Sequence, residues 1–214
     1  MKKLMVSGAL ALALSTSALV AEESGGFVGM DLGLASLTKM TMIPVGQDVG
    51  LSINSLGNLR YGLVGGYKWF FTQSVGLRAY VAVNNGASYG GAGQFNSLFV
   101  NANVDFLNTF YNSEQVSAGW FAGVSLGAGI HSGGIVSQYT GTNGMFSNLS
   151  NISGFDLGIN LGLRTLFGKH HGVEFFTRFG ALGASATGEN SGVAVADLNT
   201  NQIYNAGIRY TYNF

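Results

Sequence analysis

The sequence has no cysteine, a single proline and few charged residues, which make up 9% of its 214 positions. The lack of cysteine excludes disulfide frameworks and thiolate metal sites. Lys and Arg residues number 10 and Asp and Glu residues number 10, so no excess of positive charge offers a surface for nucleic acid. After Val20, no run reaches the ~20 consecutive apolar residues that a membrane helix requires.

The first 21 residues have the pattern of a secretory signal peptide. A basic start is followed by an apolar run at residues 4–20 and then by the small residue Ala21. A membrane anchor is the alternative, but the run is short, contains three serines and precedes two acidic residues. We therefore predict that residues 1–21 are a cleaved signal peptide and that residues 22–214 form the mature chain.

Most of the predicted mature chain alternates apolar residues with polar or small ones, which is the period of a strand with one face in lipid. The 34 glycines and the 12% of aromatic residues favour many short extended segments joined by flexible turns. Eight segments carry the alternation, at residues 28–35, 58–69, 75–84, 98–106, 116–130, 155–164, 173–179 and from about 203 to 214. The pattern predicts an all-β fold, a transmembrane up-and-down antiparallel β-barrel of about eight strands.

The connections between these segments alternate in length, which assigns the two sides of the membrane. Four are long and rich in Gly, Ser, Thr and Asn, near residues 36–57, 84–95, 131–153 and 182–201. Short turns face the periplasm and long loops face outside, so the long connections are predicted to be extracellular. The first of them has its own apolar residues and is expected to extend its two strands as a hairpin above the membrane.

Most charged side chains of the predicted barrel share the phase opposite to the apolar row and should point into the lumen. They are Asp31, Arg60, Lys68, Arg78, Asp105, Asp156, Arg164, Glu174, Arg178 and Arg209. Buried charges persist only when they are paired and hydrogen-bonded, so we interpret them as an internal ionic network. An eight-stranded barrel is just wide enough for side chains to fill. A narrow ion path lined by the same residues is the alternative.

Catalysis requires a hydroxyl, a histidine that accepts its proton and an acid that orients the histidine. His131 next to Ser132 is the candidate on the extracellular side, but no acid is close in sequence and neighbouring residues point to opposite faces. His170 and His171 lie in a predicted periplasmic turn, where solvation is more common than metal binding. We therefore predict no enzyme, no metal site and no cofactor.

The chain ends on an alternating apolar and aromatic row, Ile208, Tyr210, Tyr212 and Phe214. Together with the signal peptide, this row predicts the outer membrane of a Gram-negative cell. An aromatic-terminated last strand is also the feature that the barrel-assembly machinery recognises, so we predict that machinery and outer-membrane lipid as partners.

Ten aromatic residues fall near the periplasmic strand ends and predict a girdle: Tyr67, Trp69, Phe70, Phe71, Phe106, Phe110, Tyr111, Phe167, Tyr212 and Phe214.

Several stretches resemble the Helicobacter outer-membrane protein family. They are AEESGGFVGMDLG at residues 21–33, LRYGLVGGYKWFF at 59–71, GLRAY at 76–80, NLGLRTLFGKHHGVEFFTRFG at 160–180 and the terminal YTYNF. The resemblance implies a barrel at the cell surface, in a family whose members are described as adhesins or porins. It implies no catalytic residues. The chain lacks the long extracellular domain of the larger adhesin members, so adhesion does not carry over from them.

These observations favour an outer-membrane barrel with a structural or surface-interaction role, carried by its extracellular loops and directed at a host or surface ligand. The alternative is a small-solute porin or channel, and a lipid-modifying enzyme is a third hypothesis. The loops are polar and almost uncharged, and they contain no recognisable ligand motif.

Overall fold

The computed structural model describes residues 22–44, 51–90, 93–133, 152–190 and 193–214. Its strands are β1 (Gly25–Pro44), β2 (Leu51–Phe70), β3 (Val75–Gly90), β4 (Gly93–Asn112), β5 (Val116–Gly133), β6 (Ile152–Phe167), β7 (His171–Leu182), β8 (Ala184–Asn190) and β9 (Val193–Asn213). No helix in these ranges is long and apolar enough to cross a membrane. The predicted signal peptide, residues 1–21, lies outside the described residues.

The strands form one closed antiparallel sheet. From β1 to β7 each strand pairs with the next along the chain, β7 pairs with β9, and β1 closes the ring by pairing with β9. The short segments β7 and β8 both pair with β9 and are two parts of one wall strand, interrupted at Gly183. The wall therefore has eight strand positions, which confirms the predicted eight-stranded barrel. At the junction, the Phe214 N–H donates to the Gly26 carbonyl at 3.0 Å, so the last residue lies beside the start of β1.

Alternate side chains point to opposite faces of this wall, as the sequence pattern predicts. Met30 and Leu63 face outward and are 61% and 63% exposed, whereas Arg78 and Phe121 face inward and are 1% and 2% exposed. Closure pairs the backbone groups around the ring, and this is what lets strands cross hydrocarbon. The apolar outer face then meets the lipid directly.

Several strands extend further than the hydropathy pattern suggests. The β1–β2 ladder continues to Met42 opposite Leu51, and the β3–β4 ladder continues to Gly90 opposite Gly93. The expected start of the last strand near Ile203 is wrong, because β9 begins at Val193. Above the membrane a strand needs no apolar face, so the ladder can continue where the alternation fades. The hairpin expected at residues 36–57 is present up to residue 44 and from residue 51, whereas most of the connection at 131–153 lies outside the described residues.

The described part of the wall has a seam at the end that is predicted to be extracellular. Within the described ranges, β6 pairs with β7 only as far as Leu157 opposite Leu182, and no ladder joins β6 to β8. The 12 residues of β7 are enough to cross the hydrocarbon, since about 9–11 residues span it. Unpaired strand edges are costly in lipid, so the seam lies above the membrane.

The turn between β6 and β7, which is predicted to be periplasmic, contains two residues in the left-handed region. Gly168 has φ 55° and Lys169 has φ 68°, the region that tight hairpin turns require. Glycine adopts this conformation without a steric cost, whereas Lys169 adopts it as a non-glycine residue. The turn holds β6 and β7 in register from the pair Phe167 and His171 upward.

Candidate functional site: three layers of side chains in the lumen

The end of the lumen that is predicted to be periplasmic contains what we call the lower layer: Glu22, Lys68, Arg164 and Thr109. Glu22 Oε1 accepts a hydrogen bond from Lys68 Nζ at 2.7 Å. Arg164 Nη1 donates to both carboxylate oxygens of Glu22, at 2.8 Å to Oε1 and 2.6 Å to Oε2. Arg164 Nη2 donates to Thr109 Oγ1 at 2.7 Å. All four residues are buried. A carboxylate from the segment before β1 thus joins a cation on β2 to a cation on β6 across the barrel.

Glu22 is a lumen residue that the sequence analysis missed. It precedes the alternating pattern of β1, so nothing in the periodicity assigns it a direction; only its position next to the first strand could have indicated it. Burial alone would raise the pKa of Glu22, but the charges of Arg164 and Lys68 outweigh burial and hold this pKa below its usual value. The carboxylate is therefore ionised wherever the two cations are charged.

The central layer consists of Arg78, Arg209, Asp31, Asp105 and Glu174. Arg78 pairs with Asp105 at 2.8 Å and also with Glu174. Arg209 Nη2 donates to Asp31 at 3.0 Å, and its Nη1 donates to Glu174 at 3.4 Å. Glu174 therefore bridges the two guanidinium groups. Every member of this layer is at most 5% exposed.

Aromatic rings fill the space around the two central arginines. The Arg78 guanidinium lies 4.7 Å from the centre of the Phe121 ring and 5.0 Å from that of Tyr80. Arg209 lies 4.9 Å from the Tyr80 ring and 5.3 Å from the Phe176 ring. Cation–π contacts of this kind are stronger when the pair is desolvated. Rings and ion pairs together occupy the middle of the lumen.

The upper layer is centred on Arg178 and Asp156. Arg178 donates to Asp156 Oδ2 at 2.7 Å and to Ser125 Oγ at 2.9 Å, and Asn101 donates to the same carboxylate oxygen at 2.6 Å. Gly158 leaves the room for this guanidinium, because a Cβ there would lie 2.6 Å from Arg178 Cζ. The layer lies on the side of the central one that is predicted to be extracellular.

Arg60 is the predicted network residue that the structure does not bring to an acid. It is 3% exposed, and its Nε and Nη2 have no hydrogen-bond partner. Its guanidinium lies 4.4 Å from the centre of the Phe99 ring. Each of the other nine predicted charged residues makes at least one ion pair.

His131 contacts Ser97 on the neighbouring strand. His131 Nδ1 lies 2.8 Å from Ser97 Oγ, and the two residues are 1% and 0% exposed. They meet because Ser97 on β4 is directly opposite His131 on β5, a cross-strand pair that no short-range motif reveals. A serine hydroxyl with no accessible surface cannot reach a lipid or peptide bond.

The remaining histidines contact the last strand. His170 Nδ1 lies 2.8 Å from the Asn213 carbonyl, and the His171 ring lies 2.7 Å from the Tyr210 hydroxyl. The described residues contain no group of three or more His, Asp or Glu that could hold a metal ion. Nearby, Trp69, Phe110 and Phe214 project outward at the periplasmic rim and are 45%, 59% and 73% exposed.

The layers leave little free space in the lumen. The cavity between the central and upper layers has a volume of about 30 Å³ and is lined mainly by polar residues, including Asn101, Asn103, Asn160 and Asn205. A single buried water requires ~10–15 Å³ of such a cavity. The cavity therefore has room for a few water molecules.

The sequence matches one protein family, and the fold is similar to those of solved outer-membrane barrels. Residues 62–214 match the sequence model of the family described as Helicobacter outer membrane protein. The fold is similar to the crystal structure of the outer membrane protein OprG from Pseudomonas aeruginosa, with 12% identity over 92% of this chain and 100% of that chain and a TM-score of 0.54. It is also similar to the outer membrane protein AlkL, with 14% identity over 94% of each chain and a TM-score of 0.50. No curated protein sequence matches the chain.

Proposed function

From the premise that the chain belongs to the Helicobacter outer membrane protein family, we propose that this outer-membrane β-barrel is a closed scaffold whose extracellular hairpins bind molecules at the cell surface. The observation that carries the proposal is the filled lumen. Three layers of buried ion pairs lie one above another between the two ends of the barrel. A solute would have to break the ion pairs of all three layers, so solute transport through the lumen is disfavoured.

The extracellular ends of the strands offer the surface that this proposal needs. β1 and β2 have 20 residues each, about twice the 9–11 residues that cross the hydrocarbon. Their excess length is extracellular, because the β2–β3 turn at residues 71–74 and the β6–β7 turn at residues 168–170 are short. The wall thus raises a two-stranded hairpin well above the lipid, and this hairpin offers a surface to a partner.

A catalytic step is not part of the proposal. The one described histidine–hydroxyl pair in the lumen, His131 with Ser97, is buried on both sides. Its packing against the Phe99 ring, with centroids 5.4 Å apart, is that of a structural pair within the barrel.

One preparation tests the proposal. The purified barrel is reconstituted into fluorescent liposomes of defined phospholipid, and solute entry is measured by liposome swelling with small sugars and amino acids. The same liposomes are then scored for binding to a cultured epithelial monolayer. In the variant, residues 39–54 are replaced by Asn-Gly, which joins the paired residues Thr38 and Ser55 through a tight turn.

We expect no swelling above protein-free liposomes, and binding that is lost with the hairpin. The matched control keeps residues 39–54 in scrambled order, which preserves length and composition; it should insert equally well and should bind less than the wild type. Swelling by the wild-type barrel would favour a channel and overturn the proposal. Binding that is absent, or equal in the trimmed variant, would overturn the role of the hairpin.

A further inference from the structure

Among the described residues, the charges that point into the lumen do not balance. Six cations, Arg60, Lys68, Arg78, Arg164, Arg178 and Arg209, face five buried acids, Glu22, Asp31, Asp105, Asp156 and Glu174. All of the cations are buried except Arg178, which is partly buried. Five of the six cations make ion pairs with these acids. Arg60 is the sixth, and its Nε and Nη2 have no hydrogen-bond partner. The positive charge in excess is thus located on one residue.

A buried guanidinium in this state lacks compensation. Arginine stays protonated in proteins, so it cannot lower the cost of burial by losing its charge. The Arg60 Cζ lies 4.4 Å from the centre of the Phe99 ring, and this contact offsets part of the cost of burial. The ring does not replace the hydrogen-bond acceptors that the N–H groups lack. Asp156 accepts from Arg178 and Asn101 through Oδ2, whereas its Oδ1 has no hydrogen-bond partner. This one carboxylate faces two guanidinium groups at the same end of the lumen, those of Arg60 and Arg178, so one positive charge remains in excess. The missing component is an anion.

The barrel wall holds Arg60 in a built position. Its register neighbours are glycines on both sides, Gly33 on β1 and Gly86 on β3. A Cβ at position 86 would lie 2.6 Å from Arg60 Cγ, and a Cβ at position 33 would lie 3.0 Å from Arg60 Cβ. The aliphatic stem therefore occupies the space that neighbouring side chains would take. Glycine at both positions leaves the room that the Arg60 side chain requires.

The position of Arg60 also fixes the route of entry and the size of the ligand. Arg60 is in one register row with Gly86, Ser97 and His131, towards the extracellular ends of β2 to β5. The central and lower layers close the periplasmic route, so a ligand arrives from outside. A described cavity lined by Arg178, the other cation at this end of the lumen, has a volume of about 30 Å³, so this part of the lumen has room for a small anion and not for a large one. A single unpaired charge calls for a single negative charge.

We propose that Arg60 binds a small monovalent anion, of the size of chloride or formate, which enters the lumen from the extracellular side. The anion accepts hydrogen bonds from Nε and Nη2 and supplies the negative charge that the lumen lacks. This inference does not depend on what the hairpins bind.

The test compares wild type with Arg60→Met in two salts of equal ionic strength, sodium chloride and sodium gluconate, whose anion is too large for the lumen. The urea midpoint of unfolding is measured for both proteins in lipid vesicles. In gluconate the variant should be at least as stable as the wild type, because it removes an uncompensated buried charge. Increasing chloride should raise the wild-type midpoint in a saturable manner and reverse the order.

Lys169→Met is the control, because Lys169 is an exposed cation in the periplasmic turn, and it should respond to chloride as the wild type does. An equal chloride response in Arg60→Met and wild type would overturn the proposal. If Arg60→Met does not fold, wild-type protein alone decides: chlorine-35 NMR should show line broadening that bromide and formate reverse and gluconate does not, and crystals in bromide should show anomalous density beside the guanidinium. Absence of both signals would overturn the proposal.

Discussion

At the scale of single residues, Arg78 organises the middle of the barrel. It joins Asp105 on β4 to Glu174 on β7 and lies between the Phe121 and Tyr80 rings. Removing one partner of a buried ion pair lowers the stability of the fold much more than replacing both partners with apolar residues, because the remaining charge is left without compensation. The two acids that Arg78 pairs make this residue the most sensitive point of the network.

We expect Arg78→Met to destabilise the barrel by about 3–5 kcal/mol, the cost typical of breaking a buried pair. Urea unfolding in lipid vesicles, followed by the fluorescence of Trp69 and Trp120, measures this loss. The control is Lys169→Met, which removes an ion pair to Glu23 whose side chains are 53% and 74% exposed. Exposed pairs contribute at most about 1 kcal/mol. Equal effects of the two substitutions would contradict a structural network.

The inward direction of the charged residues could be predicted from the sequence, because each occupies the phase opposite to the apolar row. Which charges pair could not be predicted, because the partners are far apart in sequence. Arg164 on β6 meets Glu22 across the lumen, and Arg209 meets Asp31 where β9 closes the ring against β1. Periodicity describes the direction of a side chain along its own strand and carries no information about the opposite wall.

At the scale of strands, the glycines of β2 show how the inner and outer faces differ. Gly66 points inward, and a Cβ there would lie 2.5 Å from Tyr80 Cβ and against the Ala79 carbonyl. Its neighbour Gly65 points outward, and the nearest atoms to a Cβ there are 3.8 Å away. The same residue type is therefore a packing requirement at one position and not at the next.

Gly66→Ala should destabilise the barrel by roughly 1–3 kcal/mol, the usual cost of overpacking, because backbone atoms of β3 must move. Gly65→Ala should be neutral or slightly stabilising, and because it is in the same strand it controls for the change in backbone flexibility. Urea midpoints of the two variants provide the measurement. A larger effect at position 65 would contradict the assignment of the two faces.

The segment before β1 should give the barrel a pH dependence of known sign. The pKa of Glu22 is lowered in the folded state, so its contribution to stability is present above the unfolded value near 4.5 and is lost as the pH falls through the folded value. Glu22→Gln should therefore be less stable than wild type at neutral pH, and the difference should shrink in acid below the usual glutamate range. Unfolding midpoints across the pH range measure it.

Glu23→Gln is the matched control for this experiment. The Glu23 side chain is 74% exposed, and its one described ion pair is with the exposed Lys169, so the substitution should leave the midpoint unchanged across the pH range. A constant difference between Glu22→Gln and wild type down to strongly acidic pH would show that the carboxylate charge does not hold the lower layer together.

At the scale of the whole molecule, the wall was the most predictable part and the extracellular ends were the least. Lipid enforces an apolar outer face, and this leaves a clear period of two in segments such as residues 116–130. Above the membrane that constraint ends, which is why β9 was expected near Ile203 although it begins at Val193. The seam between β6 and β8 has no sequence signal, because Gly183 is one of many glycines.

The terminal aromatic row belongs to this scale because we propose that it serves the delivery of the whole chain. The Phe214 side chain is 73% exposed, so it adds little to the packing of the folded barrel. Deleting Phe214 should leave the barrel stable after refolding in vitro but should trap it in the periplasm of cells, as measured by fractionation. Phe71→Ala removes another exposed ring and should insert normally; normal insertion without Phe214 would refute recognition by the assembly machinery.

The contact between Phe214 and Gly26 means that, in the closed wall, the first and last strands are neighbours like any other two strands. A short peptide could link the two ends at the periplasmic rim, and new ends could be cut at the tip between Gly90 and Gly93, with every ladder retained. Such a circular permutant would carry its aromatic row in the interior of the chain. It would thus separate what the finished cylinder requires from what its transport to the membrane requires.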